Sequence, residues 1–157
     1  FIAVGIAKRI GYVDPKNLRF LVLGGLMHDL GHYYNGLNIA RSIADFTPEE
    51  LAKYKAHPHE AAEMVRELKH FDQNVIQIIA EHEECIDGSG FPLKLVEKKI
   101  NPMSVMVGLA NAYDRMVSFE KTPSKDAIKR LVVEKIGRYP LAQINAMKAI
   151  VKELTGG

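Results

Sequence analysis

The sequence has little of what marks a secreted or membrane-embedded protein. It contains one cysteine, Cys85, so no disulfide can form within the chain. Residues 1–157 show no charged-then-apolar signal-peptide pattern and no apolar run of about 18 residues. The formal net charge is +2, and lysine and arginine are mixed with acidic residues rather than gathered into the basic run of a nucleic-acid-binding protein. These absences predict a cytoplasmic protein that binds neither DNA nor a membrane.

The size and composition are those of one globular domain. The chain has 157 residues, 47% of them hydrophobic and 25% charged, which is enough for one hydrophobic core and too short to expect two. Residues 1–12 read FIAVGIAKRIGY, which is apolar and periodic from the first position, without an initiating methionine or a cap. We therefore expect residues 1–157 to form a single domain with a truncated first helix, the C-terminal part of a longer chain.

The capping and turn residues along the chain indicate helices nearly throughout. The expected N-caps are Asp14, Thr47, Asp72, Asn101 and Ser124. Pro58 should break the helix that begins at Thr47 and leave His57 at a kink, because the residue before a proline is pushed out of the helical region. Since no alternating strand pattern is present, the chain is predicted to be all-α with about seven helices.

Residues 27–32, MHDLGH, allow two interpretations. If the stretch is helical, His28 and His32 lie one turn apart and grip one metal ion, as the histidines of an H-E-x-x-H zinc protease do. Alternatively, the functional unit is the adjacent pair His28 and Asp29. The protease interpretation fits poorly, because Asp29 is shorter than the glutamate base of such enzymes and Gly31 weakens a helix interior. It also leaves the polar residues farther along the chain unexplained.

Polar residues at four positions interrupt the apolar helix faces or stand at their ends. They are His28 with Asp29, His57, His82 with Glu83, and Asn111 with Asp114. One such histidine alone is usually a half-buried imidazole bonded to a backbone carbonyl, and His59 and His70 are expected to be surface residues of no special role. The four positions come from separate predicted helices, however, and all offer nitrogen or oxygen ligands for a transition metal. Together they predict a metal site.

The ligand types favour a site with two metals. Asp29 carries a carboxylate that can bridge two ions, while each histidine binds one. Two metals about 3.5 to 4 Å apart are the usual arrangement for hydrolysing a phosphodiester. Imidazole and carboxylate ligands without a thiolate suit Fe or Mn, with Zn, Ni or Co as alternatives. Cys85 is expected to be a small buried side chain rather than a ligand.

Several segments of the chain carry motifs at characteristic separations. The segments are MHDLGH, FTPEELAKYKAHPHEAA, EHEECIDGSGFP and LANAYDRMVS. In that order they resemble H-D-x-G-K, L-T-x-E-E followed by H-P-x-x-G, H-H-E-x-x-D-G-x-G-Y-P, and A-D-x-Y-D-A-L-T of the HD-GYP domain family, within the HD superfamily of metal-dependent phosphohydrolases. The resemblance covers nearly the whole chain, and the combination of motifs makes it specific.

The resemblance implies a fold, an activity and a set of residues. The family is similar in being an all-α, HD-superfamily helical bundle, and it hydrolyses cyclic di-GMP or related cyclic dinucleotides at a site of two or three metals. The positions that match its metal ligands are His28, Asp29, His57 and His82. The resemblance places catalytic roles on Asp29 and His32, and it implies substrate contacts at His32, Gly88, Gly90 and Phe91.

The departures from the family pattern fall within the site itself. Glu83 stands at the second histidine of H-H-E and keeps a ligand while adding negative charge. Asn111 stands at the metal-binding aspartate; its neutral amide binds a divalent ion weakly, and Asp114 is the nearby carboxylate that can compensate. His32 replaces a lysine, either as a partly protonated donor or as an additional ligand. Phe91 replaces the tyrosine and lacks its hydroxyl.

Two hypotheses for the function follow. In the first, the domain is a metal-dependent phosphodiesterase in which two divalent ions activate water. In the second, it is a degenerate HD-GYP module, weakly active or inactive, that binds nucleotides or proteins in signalling. The retained motifs favour the first, whereas Asn111 and Phe91 favour the second. The resemblance further implies bacterial signal transduction, cyclic di-GMP as the partner and an N-terminal regulatory or receiver domain, and it leaves a homodimer open.

Overall fold

The chain folds into a bundle of helices. The computed structural model describes residues 1–156. The α-helices are α1 (Ile2–Arg9), α2 (Pro15–Met27), α3 (Leu30–Asn35), α4 (Pro48–Glu67), α5 (Gln73–Glu81), α6 (Pro102–Asp114), α7 (Ser124–Glu134) and α8 (Leu141–Leu154). Two 3-10 helices, Ile43–Asp45 and Glu97–Lys99, and a π-helix, Arg115–Phe119, complete the helical structure of that range. The prediction of an all-α fold is confirmed, although the sequence did not predict the short helix α3.

Capping side chains begin four of the eight α-helices of residues 1–156 where the sequence predicts them. The N-caps whose side chains accept a backbone hydrogen bond are Asp14, Thr47, Asp72 and Asn101. Thr47 and Glu50 form a complete capping box, each side chain bonding the other residue's backbone N–H. The prediction for Ser124 is wrong: α7 begins at Ser124 itself, and Pro123 precedes it as the N-cap, since proline fixes the backbone there without a side-chain bond.

The expected break at Pro58 is also wrong. Helix α4 continues through Pro58 to Glu67. It packs along both α3 and α5, and these tertiary contacts hold residues 57 and 58 in the helical conformation that local sequence disfavours. The proline still removes one backbone N–H, and with it the helical partner of the Tyr54 carbonyl four residues earlier.

The hydrophobic core lies between α5 and the helices around it. Helix α5 packs against α2, α4 and α6, and α1 packs against α6 and α8. Fully buried residues of α5 and α6 include Ile78, Ile79, Met106 and Leu109. None of the helices within residues 1–156 combines the length and apolar character needed to cross a membrane.

Two glycines allow a close approach of helices where the polar residues meet. A Cβ added to Gly31 in α3 would lie 2.3 Å from the backbone oxygen of His57 in α4. A Cβ added to Gly108 in α6 would lie 2.1 Å from the backbone oxygen of His82, at the end of α5. Any side chain at either position would push the helices apart. The two glycines therefore set the positions of α3 and α6 against the histidines.

Candidate metal centre

Three histidines point the same ring nitrogen at one carboxylate. His28 and His82 are the C-caps of α2 and α5, and His57 lies within α4. Asp29, the N-cap of α3, lies between them. Its Oδ1 is 3.4 Å from Nε2 of His57 and 3.8 Å from Nε2 of His82, and its Oδ2 is 3.3 Å from Nε2 of His28. The structure thus brings the HD pair together with both of the later histidines.

The other ring nitrogen of each histidine is fixed by the backbone. Nδ1 donates to the carbonyl three residues earlier, over 2.8 Å in His28, 2.5 Å in His57 and 2.8 Å in His82. A carbonyl oxygen can only accept, so Nδ1 must carry the proton. In the neutral ring Nε2 is then left with a free lone pair, which is how metal-binding histidines are usually oriented.

The three carbonyls are available because each lacks a helical N–H partner. The carbonyls of Gly25 and Ile79 belong to the last turns of α2 and α5, where helical partners run out. The Tyr54 carbonyl lies in the middle of α4, but its partner would be the N–H that Pro58 does not have. Pro58 therefore leaves the helix intact and frees the acceptor that orients His57.

This arrangement of donor atoms fits a metal ion. Nε2 of His57 and Nε2 of His82 are 3.0 Å apart, so their lone pairs repel unless a cation lies between them. Two nitrogens bound about 2.1 Å from one ion at right angles have about this separation. Nε2 of His28 is buried and has no hydrogen-bond partner within the described residues. The cluster can therefore bind metal.

The possible ligands form overlapping groups rather than one set. The groups are His28, Asp29 and His82; Asp29, His32 and His57; and His57, His82 and Glu83. Within each group the ligand atoms lie within 4.8 Å of one another. Because neighbouring groups share members, the cluster is one continuous set of candidate ligands.

Burial and the Asp29 carboxylate set the charges of the cluster. Burial holds the pKa of His82 well below its ordinary value, so this ring is neutral at neutral pH. Burial would raise the pKa of Asp29, but the adjacent imidazoles of His28 and His57 outweigh it and hold the pKa well below the usual range. Burial likewise would lower the pKa of His28, yet its pKa is raised, because the adjacent Asp29 carboxylate prevails. Asp29 is therefore ionised.

His32 belongs to the same cluster but cannot act as a cation there. Its ring stacks on that of His57 with centroids 3.8 Å apart, and its Nε2 is 3.9 Å from Oδ1 of Asp29. Burial lowers the pKa of His32 to about 4, so the imidazole is neutral at neutral pH. It therefore does not supply the fixed positive charge of the lysine it replaces. Its position next to Asp29 still allows a role as ligand or hydrogen-bond partner.

Glu83 is held by a residue that the sequence did not single out. The Tyr54 hydroxyl donates to Oε1 of Glu83 at 2.9 Å, and the Asn111 amide nitrogen donates to the same oxygen at 3.3 Å. Burial raises the pKa of Glu83. Asp114 is exposed, accepts a hydrogen bond from Ser118 and lies outside the three ligand groups. A large aromatic residue on a helix face resembles an ordinary core residue, which is why Tyr54 gave no signal.

A cleft of about 240 Å³ opens beside Glu83. Of the predicted substrate contacts, Gly90 and Phe91 line it, together with Tyr54 and Arg115. The rings of Phe91 and Tyr54 are 5.6 Å apart, and the Arg115 guanidinium lies 5.4 Å from the Tyr54 ring. Gly88, by contrast, is not among the lining residues. It occupies a turn with a positive φ of 77°.

The loop that carries DGSGFP is anchored from below by Glu84. This glutamate is fully buried, and its carboxylate accepts backbone hydrogen bonds from Leu93, Lys94 and Leu95 at 2.6, 3.1 and 2.8 Å. Glu84 occupies the glutamate position of the H-H-E motif. The structure therefore assigns it to loop support rather than to the metal cluster.

Comparisons with known proteins agree with this architecture. The family model of the HD domain matches residues 6–139. The cyclic di-GMP phosphodiesterase PA4108 of Pseudomonas aeruginosa is 26% identical over 117 residues, which are 74% of this chain and 28% of that protein. The cyclic di-GMP phosphodiesterase response regulator RpfG of Xanthomonas campestris pv. campestris is 26% identical over 123 residues, 78% of this chain and 32% of that protein.

A solved structure is similar over nearly the whole chain. It is that of Bd1817, a HDG"Y"P protein from Bdellovibrio bacteriovorus, with 42% identity and a TM-score of 0.89, covering 96% of this chain and 49% of that one. This chain thus spans less than half the length of each of these proteins. The match over residues 6–139 shows that the chain belongs to the HD domain family, and the solved structure confirms its resemblance to the HD-GYP members of that family.

Proposed function

We propose that this domain is a metal-dependent phosphodiesterase that hydrolyses a cyclic dinucleotide, with cyclic di-GMP, the compound in the names of its relatives, as the substrate. The observation that carries the proposal is the convergence of three histidine Nε2 atoms on the Asp29 carboxylate. A set of histidine imidazoles around a carboxylate is the ligand set of a hydrolytic metal centre.

Two divalent ions, Fe or Mn first, are the cofactors we propose. Asp29, which belongs to two of the ligand groups, would hold these ions together with His28, His57, His82 and Glu83. When bound, such ions supply a water molecule that ionises near neutral pH and a positive charge opposite the scissile phosphate.

The chain's own residues position the reaction around that centre. Hydrolysis forms a bond between the water oxygen and phosphorus and breaks the bond from phosphorus to a ribose oxygen, which takes up the proton that the water loses. Asp29 stays ionised and orients the attacking water. His32 is neutral, next to Asp29, and its buried Nδ1 has no partner within residues 1–156, so it is placed to pass that proton on.

The cleft walls suit a nucleotide. Tyr54 and Phe91 offer aromatic surface next to the cluster, and Arg115 adds a fixed positive charge beside them. Arg115 thus supplies the kind of charge that His32, being neutral, cannot. An N-terminal receiver domain, a homodimer and a cytoplasmic location complete the proposal; the first is supported by a relative named as a response regulator.

A second candidate is a degenerate module that binds nucleotide or protein without turnover. The observation in its favour is that Oε1 of Glu83 already accepts hydrogen bonds from both Tyr54 and Asn111. Asn111 thus presents its amide nitrogen rather than its oxygen to this part of the cluster, so it does not supply the oxygen ligand of the aspartate that it replaces. The metal ion nearest Glu83 would therefore be bound most weakly.

The deciding experiment is metal analysis of the purified protein combined with hydrolysis of cyclic di-GMP and of bis(p-nitrophenyl) phosphate in Mn or Fe. The proposal predicts bound metal and turnover of both substrates, with both lost in His28→Ala and Asp29→Ala. His59→Ala is the matched control, because His59 is an exposed histidine of α4. A protein that stays metal-free and inactive would refute the proposal; metal and dinucleotide binding without turnover would support the second candidate.

A further inference from the structure

The cleft beside Glu83 extends to two basic residues that the motifs do not include. Lys135, the C-cap of α7, and Arg138, three residues later, line the same cleft as Glu83 and Asn111. Both are half-buried. Within the described part of the chain, neither forms an ion pair with a carboxylate, although other surface lysines and arginines do.

The acidic residues nearby are bound to other groups. Glu120 also lines the cleft, but its carboxylate is bonded to Arg130 at 2.5 Å. Asp87 is exposed, and its carboxylate accepts bonds from the backbone and the hydroxyl of Ser89 at 2.9 and 2.6 Å. Neither Lys135 nor Arg138 is therefore neutralised by direct contact with these carboxylates.

The charge of Arg138 acts on two residues of the cleft wall and on Asp87 outside the cleft. Burial raises the pKa of both Cys85 and Tyr139, and the positive charge of Arg138 partly offsets that rise in each. Cys85 and Tyr139 line the cleft as well. The Arg138 guanidinium is thus close to residues of the cleft wall that a bound ligand would contact.

A half-buried cation has lost part of its hydration and is stabilised by an anion that replaces it. The forked guanidinium of arginine and the point charge of lysine together match the oxygens of a phosphate group. The same cleft is lined by Glu83 and Asn111 of the metal centre, where a phosphodiester is cleaved in the proposed reaction. A ligand that contacts both the metal centre and these two cations needs two phosphates.

We propose that Lys135 and Arg138 bind the second, unreacting phosphodiester of the cyclic dinucleotide while the first lies at the metal centre. The proposal rests on the proposed function, and it names the residues that distinguish a cyclic dinucleotide from any simple diester. Tyr54 and Phe91, which line the same cleft, face the nucleosides that connect the two phosphates.

The test compares a substrate that has a second phosphate with one that lacks it. In Arg138→Gln and Lys135→Gln, the KM for cyclic di-GMP should rise about tenfold or more, because a charge-assisted hydrogen bond is lost, with kcat changed less than about twofold. Hydrolysis of bis(p-nitrophenyl) phosphate should be unchanged, which also shows that the variants are folded. Lys125→Gln removes the same charge from an exposed position of α7 outside the cleft and should leave both substrates unaffected.

Equal losses on both substrates, or an unchanged KM for cyclic di-GMP, would overturn the subsite. Equilibrium binding of cyclic di-GMP to the metal-loaded protein, measured by calorimetry, separates this outcome from failure of the proposed function. If the unsubstituted protein binds the dinucleotide but hydrolyses neither substrate, the enzyme proposal fails, and weaker binding by Arg138→Gln still supports the subsite. No binding by the unsubstituted protein overturns both.

Discussion

Replacing Pro58 with alanine is expected to stabilise the metal-free protein and weaken its metal binding. The effects on stability and on metal affinity are opposite, because Pro58 disfavours the helix that contains it and yet frees the Tyr54 carbonyl that fixes His57. An N–H at position 58 would compete for that carbonyl. His57 could then move its proton to Nε2, and the lone pair facing His82 would be lost.

The size of each effect follows from the surroundings of Pro58. About 3 kcal/mol of helix propensity is recovered when alanine replaces an interior proline. Pro58 is buried, so loss of two methylene groups subtracts about 1.6 kcal/mol, which leaves a gain of about 1.4 kcal/mol in the free energy of unfolding. Loss of an interaction that orients a metal-bound histidine typically lowers metal affinity by about 10- to 100-fold.

The assay pairs urea unfolding of the chelator-treated protein with calorimetric titration of Mn²⁺, and NMR of the His57 ring nitrogens reports the tautomer. His59→Ala is the control, because it changes an exposed position of α4 and leaves the Tyr54 carbonyl untouched. A carbonyl oxygen has two lone pairs, so it can in principle accept from both groups. Unchanged Mn²⁺ affinity in a stabilised Pro58→Ala protein would show that it does, and would refute the reasoning.

Three further substitutions test separate parts of the centre. Tyr54→Phe removes the hydroxyl bonded to Glu83 and should lower metal affinity about tenfold, measured by calorimetry; an unchanged affinity would mean that Glu83 needs no support. Gly31→Ala should lower the free energy of unfolding by about 2 kcal/mol or more, because its Cβ would meet the His57 backbone, whereas Gly25→Ala, with only Val107 at 3.9 Å, should be tolerated. Glu84→Gln should lower the free energy of unfolding by about 3 kcal/mol and speed hydrogen exchange at the backbone amides of Leu93 and Leu95. Unaltered exchange at these amides would contradict the anchoring role of Glu84.

The parts of the fold that the sequence predicts are those with local causes. Asp14 and Thr47 cap their own helices through neighbours a few residues away, so the starts of α2 and α4 can be read directly. The path of α4 through Pro58 depends on packing against α3 and α5, which no local pattern contains. Helix α3 is equally hidden, since its close approach to α4 depends on a single glycine, Gly31.

The candidate site shows the same division. Residue type and the family resemblance together select His28, Asp29, His57 and His82, and the structure brings these four together. Which ring nitrogen each histidine presents depends on carbonyls left free by helix ends and by a proline, and this is visible only in three dimensions. The sequence allows His32 to be partly protonated. Its burial, which lowers its pKa and keeps the imidazole neutral, is likewise visible only in three dimensions.

The central claim is that Nε2 of His57 and His82 and the carboxylate of Asp29 hold a metal ion. Anomalous diffraction from crystals of the Mn-loaded protein tests it most directly. The claim predicts a peak about 2.0 to 2.3 Å from both Nε2 atoms and next to Asp29. A Mn peak elsewhere, such as at exposed His59 or His70, with none between His57 and His82, would contradict it.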